Sequence, residues 1–264
     1  MNMQNTAYDT TAAQPVTEQE TLLKVRNLQM DFGGLKAIQD VSMDLRAGIV
    51  TTLVGPNGAG KTTLFNMITG HLKPTAGEVE WLGDSLLGKP PWKIARQGIA
   101  RTFQDLRLFT HMTVEENILT VMEQGGWLWQ SGGMSAKTAR QERVASILER
   151  TGLKDKARVR AIDLAYAERK FLCMARIMAT DSRLWLLDEP ASGLDPNSYG
   201  LFLELLRSEV ANGITVCIIE HNLDIVVNIS DRIAFLDQGR LLADGLPDEI
   251  LNNPELAAIY FGER

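Results

Sequence analysis

The chain has 264 residues, 45% of them hydrophobic and 23% charged, with 27 basic against 33 acidic side chains and a net charge of −6. That length holds one large globular unit or two small ones, and the acidic balance argues against broad nucleic-acid binding and against adhesion to an anionic membrane surface. No apolar run approaches the roughly eighteen residues of a membrane-spanning helix.

Residues 1–21 are polar and rich in Thr, Gln and Asn, with no basic leader or apolar stretch, so a flexible tail is expected and a secretory signal is not. Strands are expected over Leu22–Leu28, Ile38–Leu45 and Ile49–Val54. The last of these runs into Gly55-Pro56-Asn57-Gly58-Ala59-Gly60-Lys61-Thr62, which satisfies G-x-x-x-x-G-K-[ST], the phosphate-binding P-loop. Its glycines let backbone N–H groups turn inward around phosphate oxygens, and the helix predicted over Lys61–Thr69 adds its own N-terminal donors, Thr63 included. Lys61 would neutralise β/γ oxygens and the Thr62 hydroxyl would hold Mg²⁺. Upstream, Phe32 precedes Gly33-Gly34; its ring either stacks on an adenine base or packs on the sheet.

A strand is expected over Glu78–Leu82, a helix from Pro90-Pro91 through Arg96 and a strand over Ile99–Phe103. Gln104 follows, either as a surface residue or with its amide at the metal or the attacking water. Thr113-Val114-Glu115-Glu116 is a capping box that starts a helix. Gly125–Ser135, with Trp127 and Trp129, reads as a loop, and Lys137–Thr151 and Glu168–Ala179 as helices. Arg183-Leu184-Trp185-Leu186-Leu187-Asp188-Glu189 is an apolar strand ending in two carboxylates. Behind a P-loop, Asp188 would hold Mg²⁺ and Glu189 would act as general base toward water.

A helix over Tyr199–Ala211, a strand over Ile214–Ile219, a hairpin around Gly239 and a helical end from Pro247 to Phe261, broken at Pro254, complete the pattern. His221 closes the strand Ile214–Glu220, where it would bond the γ-phosphate or begin a helix. Cys173 and Cys217 fall in apolar segments, which suits buried thiols in a reducing cytoplasm.

The ordered set GPNGAGKT, Gln104, Leu164–Lys170, LLDEP (Leu186–Pro190), Ser192-Gly193-Leu194-Asp195 and His221 resembles the ATPase subunit of an ABC transporter across residues 22–264. Arg107-Leu108-Phe109, Met112–Asn117 and the ending Asn253-Pro254 through Glu263 are similar to the longer of the two ATPase subunits of branched-chain amino-acid-type importers. The resemblance implies an α/β P-loop NTPase core in one domain over 22–264, an antiparallel β region and a helical subdomain about 104–163. It implies ATP and Mg²⁺ as ligands, with nucleotide lying between one subunit's P-loop and the other's signature loop. Leu164, Ala165, Tyr166, Ala167, Glu168 and Asp195 would thus also lie beside nucleotide.

The signature loop departs from the family pattern L-S-G-G-Q, or L-[SA]-Y-G-[EQ]-Q in the closer relatives. Ala165 lacks the usual hydroxyl, which relatives tolerate; Ala167 replaces the usual second glycine and is the sharper departure, because its Cβ restricts both the backbone conformation and close approach. A lost charge-assisted donor is worth roughly 1.5–3 kcal/mol, which weakens the partner's site without abolishing it. The expected assembly is therefore a heterodimer with a second ABC ATPase subunit, two membrane permeases and, indirectly, a solute-binding protein, with this chain on the inner face of the membrane and no nucleic acid involved. The expected activity is ATP hydrolysis energising import of amino acids or a related small polar solute. The alternative is a nucleotide-gated regulatory ATPase not tied to transport.

Overall fold

The computed structural model describes residues 20–122 and 134–261. In chain order these form β1 (Thr21–Phe32), β2 (Leu35–Arg46), β3 (Val50–Val54), α1 (Lys61–Ile68), β4 (Ala76–Trp81), β5 (Asp84–Ser85), α2 (Pro91–Arg96) and β6 (Ile99–Arg101). There follow α3 (Val114–Met122), α4 (Met134–Arg150), two short 3₁₀ turns, α5 (Tyr166–Met178), β7 (Leu184–Asp188), α6 (Pro196–Ala211), β8 (Thr215–Ile219) and α7 (Leu223–Ile229). The hairpin β9 (Arg232–Asp237) and β10 (Arg240–Gly245), then α8 (Pro247–Leu251) and α9 (Pro254–Phe261), end it. Trp127, Trp129 and residues 1–19 of the tail lie outside the described residues. No helix of the described residues is long and apolar enough to cross a membrane.

Two sheets organise the molecule. An antiparallel sheet runs β2-β1-β4-β5, and a second runs β10-β9-β3-β8-β7-β6, parallel except at β10. Every residue of β3, β7 and β8 is buried. Such unbroken burial belongs to parallel strands covered on both faces. One core joins the first sheet, α1 and one face of the second, and includes Leu53, Phe65, Trp81 and Leu186. Another joins the opposite face to α3–α6 and includes Ile118, Leu172, Trp185 and Phe202. Both buried indoles keep a hydrogen bond: Trp81 Nε1 donates to the Gln97 carbonyl at 2.8 Å and Trp185 Nε1 to Ser182 Oγ at 3.0 Å.

Several expected boundaries move for local reasons. Thr21 already belongs to β1. α4 begins at Met134, so the end of the expected Gly125–Ser135 loop is helical, as befits a Met-Ser-Ala start. β6 stops at Arg101 because the next hydroxyl, on Thr102, accepts the Asp188 N–H at 2.9 Å. α6 starts at Pro196, three residues early: Asp195 caps it by accepting the Asn197 and Ser198 N–H groups, and proline suits the first helical position.

Candidate active site

The carboxyl ends of β3, β6, β7 and β8 lie side by side in the parallel sheet, and that edge is where open α/β folds bind ligands. β3 delivers Gly55–Thr62, β6 delivers Thr102 and Gln104, β7 delivers Asp188 and Glu189, and β8 delivers Glu220 and His221.

The loop after β3 holds a shape only glycine allows at two points. Gly55 has φ +144°, and a Cβ there would stand 1.9 Å from the Leu236 carbonyl oxygen. Gly60, the N-cap of α1, has φ +103° and would meet the Ala37 carbonyl at 2.6 Å. Lys61 is buried, and its ammonium donates to the Gly55 carbonyl at 2.7 Å and to the Pro56 carbonyl at 2.9 Å. Burial lowers its pKa to about 8, against the opposing pull of Glu189 and Asp188. Asn57, Gly58 and Ala59 form the turn, pinned where the Ala59 carbonyl accepts the Gly239 N–H at 2.9 Å. Gly58 (φ +82°) has open space where a Cβ would go. Gly55→Ala is therefore expected to cost about 3 kcal/mol or more, and Gly58→Ala about 1 kcal/mol. Urea unfolding of the two variants checks this; equal losses would contradict the steric account.

Asp188 is 3% exposed. Burial raises its pKa, opposed by Arg101, whose Nη2 lies 3.4 Å from Asp188 Oδ2, and by a hydrogen bond with the Thr62 side chain. A carboxylate beside an alcohol hydroxyl is a hard-oxygen donor set of the kind Mg²⁺ takes when phosphate and water fill its other positions. The site thus fits Mg²⁺. Gln104 is exposed, and its amide makes no hydrogen bond among the described residues.

Glu189 follows at once, in a left-handed conformation with φ +47°. His221 Nε2 lies 2.9 Å from Glu189 Oε1. A carboxylate accepts only, so the imidazole carries the shared proton on Nε2. Behind the pair, Lys170 Nζ donates to the Glu189 carbonyl at 2.6 Å, and the Tyr260 hydroxyl donates to the His221 carbonyl. Glu220 is 2% exposed and accepts the Ala191 N–H at 3.1 Å. Burial pushes its pKa up to about 7, opposed by that hydrogen bond and by Lys170.

The Leu164–Lys170 stretch opens α5. Leu164 is buried, Ala165 is the N-cap and Tyr166 is exposed. The Ala165 N–H donates to Glu168 Oε2 at 2.9 Å, which is half of a capping box; the other half needs the hydroxyl that Ala165 lacks. Ala167 stands in the first helical turn and is not among the residues with positive φ. Its Cβ therefore imposes no backbone strain here, contrary to expectation, because a right-handed helix suits alanine better than glycine. Crowding of close approach is the effect that remains. Asp195 spends its carboxylate on capping α6, with a further bond from Ser198 Oγ at 2.5 Å. Phe32 is 47% exposed before the Gly33-Gly34 turn.

Four of these side chains escaped the sequence reading. Glu220 ends the apolar run Val216–Ile219, which is the one signal available for it; Lys170 closes the charged run Glu168-Arg169-Lys170, which does not set it apart. Tyr260 reaches 39 positions back, and nothing local marks it. Arg101 is the fourth. It also donates to Asn66 Oδ1 at 2.7 Å and Thr69 Oγ1 at 3.2 Å, and lies 4.8 Å from the Phe103 ring centroid. Cys173 and Cys217 are buried, and burial pushes the Cys173 thiol up to about 12.

Next to the site, a cleft of about 530 Å³ opens between α2, β6 and α5, lined by Trp92, Arg96, Phe103, Arg107, Cys173 and Arg176 among others. Trp92 is 60% exposed.

The family model described as ABC transporter matches residues 38–192. The high-affinity branched-chain amino acid transport ATP-binding protein LivG of Salmonella typhimurium is 43% identical over 253 residues, 92% of this chain and 99% of the relative. The corresponding protein BraF of Pseudomonas aeruginosa is 39% identical over 252 residues, 92% and 98% of the two chains. Among solved structures, the ADP conformation of MJ1267, an ATP-binding cassette of an ABC transporter, superposes with a TM-score of 0.80 at 31% identity, covering 92% of this chain and 99% of that one.

Proposed function

Because the chain belongs to the ABC transporter ATP-binding family, we propose that it is one of two different ATPase subunits driving an importer of branched-chain amino acids or a related small polar solute. It is a nucleotide-binding ATPase whose hydrolysis is coupled to transport. A regulatory role apart from transport is not favoured, since the relatives are transport subunits.

The observation that carries the site assignment is the convergence of Lys61, Asp188, Glu189 and His221 at one sheet edge. In this reading, N–H groups of Gly55–Thr63 and the Lys61 ammonium cradle the phosphates, and Phe32 stacks on the base. Thr62, Asp188 and Gln104 would hold Mg²⁺, which would supply charge that offsets the γ-phosphoryl oxygens. Glu189, fixed by His221, takes the proton from the attacking water. His221 bonds the γ-phosphate side of the site. Catalysis is then chiefly positioning and electrostatic stabilisation.

The assembly follows from the same residues. The cleft beside α2 combines an exposed Trp92 with the cations Arg96, Arg107 and Arg176, and we assign it to the permease. In this reading the chain sits peripherally on the cytoplasmic face of the membrane, and the solute-binding protein acts through the permeases. Residues 165–168 and Asp195 face the partner's nucleotide, with Leu164 buried behind them, and the missing Ala165 hydroxyl and the Ala167 Cβ weaken that composite site.

The isolated chain is therefore expected to hydrolyse ATP at least about tenfold more slowly than the complex with a second ATPase and two permeases, one donor bond at each site already amounting to roughly that factor. Steady-state turnover of the purified chain against the co-expressed complex is the test. A stable homodimer with the full rate of the complex would refute the heterodimer.

A further inference from the structure

We propose that Lys170 is a positioning residue that aims the Glu189 carboxylate by gripping the Glu189 main-chain carbonyl. The inference rests on the reading of Glu189 as general base. Glu189 adopts φ +47°, a left-handed conformation that costs a non-glycine residue free energy and persists only where its surroundings impose it. Three contacts impose it. Its N–H donates to the Ile219 carbonyl at 3.1 Å, and its carbonyl accepts the Ser192 N–H at 3.4 Å and Lys170 Nζ at 2.6 Å. The lysine bond is the shortest and the only charged one, so it is the strongest of the three.

The anchor is rigid. Lys170 is 7% exposed on α5 and makes a cation–π contact with Tyr166, one turn earlier, at 5.4 Å. Tyr166 in turn abuts Gly193, where a Cβ would come within 3.1 Å of its ring. One face of α5 therefore holds the 189–193 turn at both ends. Such a grip fixes the carbonyl's plane, and with it the direction in which the Glu189 side chain leaves the backbone. A carboxylate displaced by about an ångström loses much of its rate as a base, on the order of 100-fold.

Lys170 also faces the buried Glu220 carboxylate, so its removal alone would strand a charge and destabilise the fold. The test therefore compares Lys170→Met with Lys170→Met/Glu220→Gln, which removes both charges. Glu189→Gln is the reference. All are measured in the full complex for kcat, KM, ATP affinity and melting temperature. Expected are a fall in kcat of about 10- to 100-fold in both lysine variants, with KM and ATP affinity within about threefold of the parent. The melting temperature should recover in the double variant while kcat does not. If kcat recovers along with melting temperature, or never falls, Lys170 is a charge partner for Glu220 and the positioning role is wrong. If Glu189→Gln itself keeps parental turnover, the general-base reading fails first, whatever the lysine variants do.

Discussion

Glu189→Gln is expected to lower turnover at this chain's own site by about a thousandfold, within the range a lost general base produces, while leaving ATP affinity close to the parent's. The amide keeps the size of the side chain and can still bond His221 at the 2.9 Å separation seen for the carboxylate. What it cannot do is accept a proton from water. With binding intact and chemistry blocked, ATP should hold the two ATPase subunits closed, and the complex should accumulate as a nucleotide-loaded dimer. Single-turnover hydrolysis and sedimentation in the presence of ATP measure the two halves of this expectation. Near-parental turnover would remove Glu189 from the chemistry and leave its place at the edge of β7 a structural coincidence.

Lys61→Ala is expected to act at the earlier step and weaken ATP binding by about 100-fold, corresponding to about 2.7 kcal/mol. Two effects combine. The charge facing the β/γ oxygens disappears, and the loop loses the bonds from Lys61 to the Gly55 and Pro56 carbonyls. Charge-assisted bonds of this kind are each worth roughly 1.5–3 kcal/mol. Fluorescent-nucleotide titration of the variant measures the loss directly. Unchanged affinity would mean that the cradle binds through its backbone alone.

The parts of the site carried by consecutive residues were readable from the sequence. The P-loop announces itself through glycine spacing between a β-branched strand and a helix. The Asp188-Glu189 pair is marked by two acids at the end of an apolar run, where solvent-facing chance would scatter them. The parts made by long-range contact were not readable. Arg101 meets Asp188 across 87 positions, and no local pattern says that this arginine, among many, is the one turned inward. Lys170 lies inside a recognised motif, yet its target is a main-chain carbonyl, and backbone acceptors carry no sequence signature. The expectation for Ala167 illustrates the opposite error. Comparison with a glycine-containing pattern suggested backbone strain, but the residue stands in a regular helical turn where a Cβ is welcome. The strand β5 is two residues long and rests on the turn between it and β4, which propensity alone does not reveal.

We propose that hydrolysis at this chain's own Glu189 energises import. Uptake of a radiolabelled branched-chain amino acid into vesicles carrying the complete complex tests it most directly, with Glu189→Gln placed in this chain and the second ATPase left untouched. Uptake and ATP hydrolysis are expected to fall together, to a few per cent of the parent or less, on the scale of a lost general base. Uptake at the parental rate, with ATP still consumed, would show that this chain's site is not the one that drives transport.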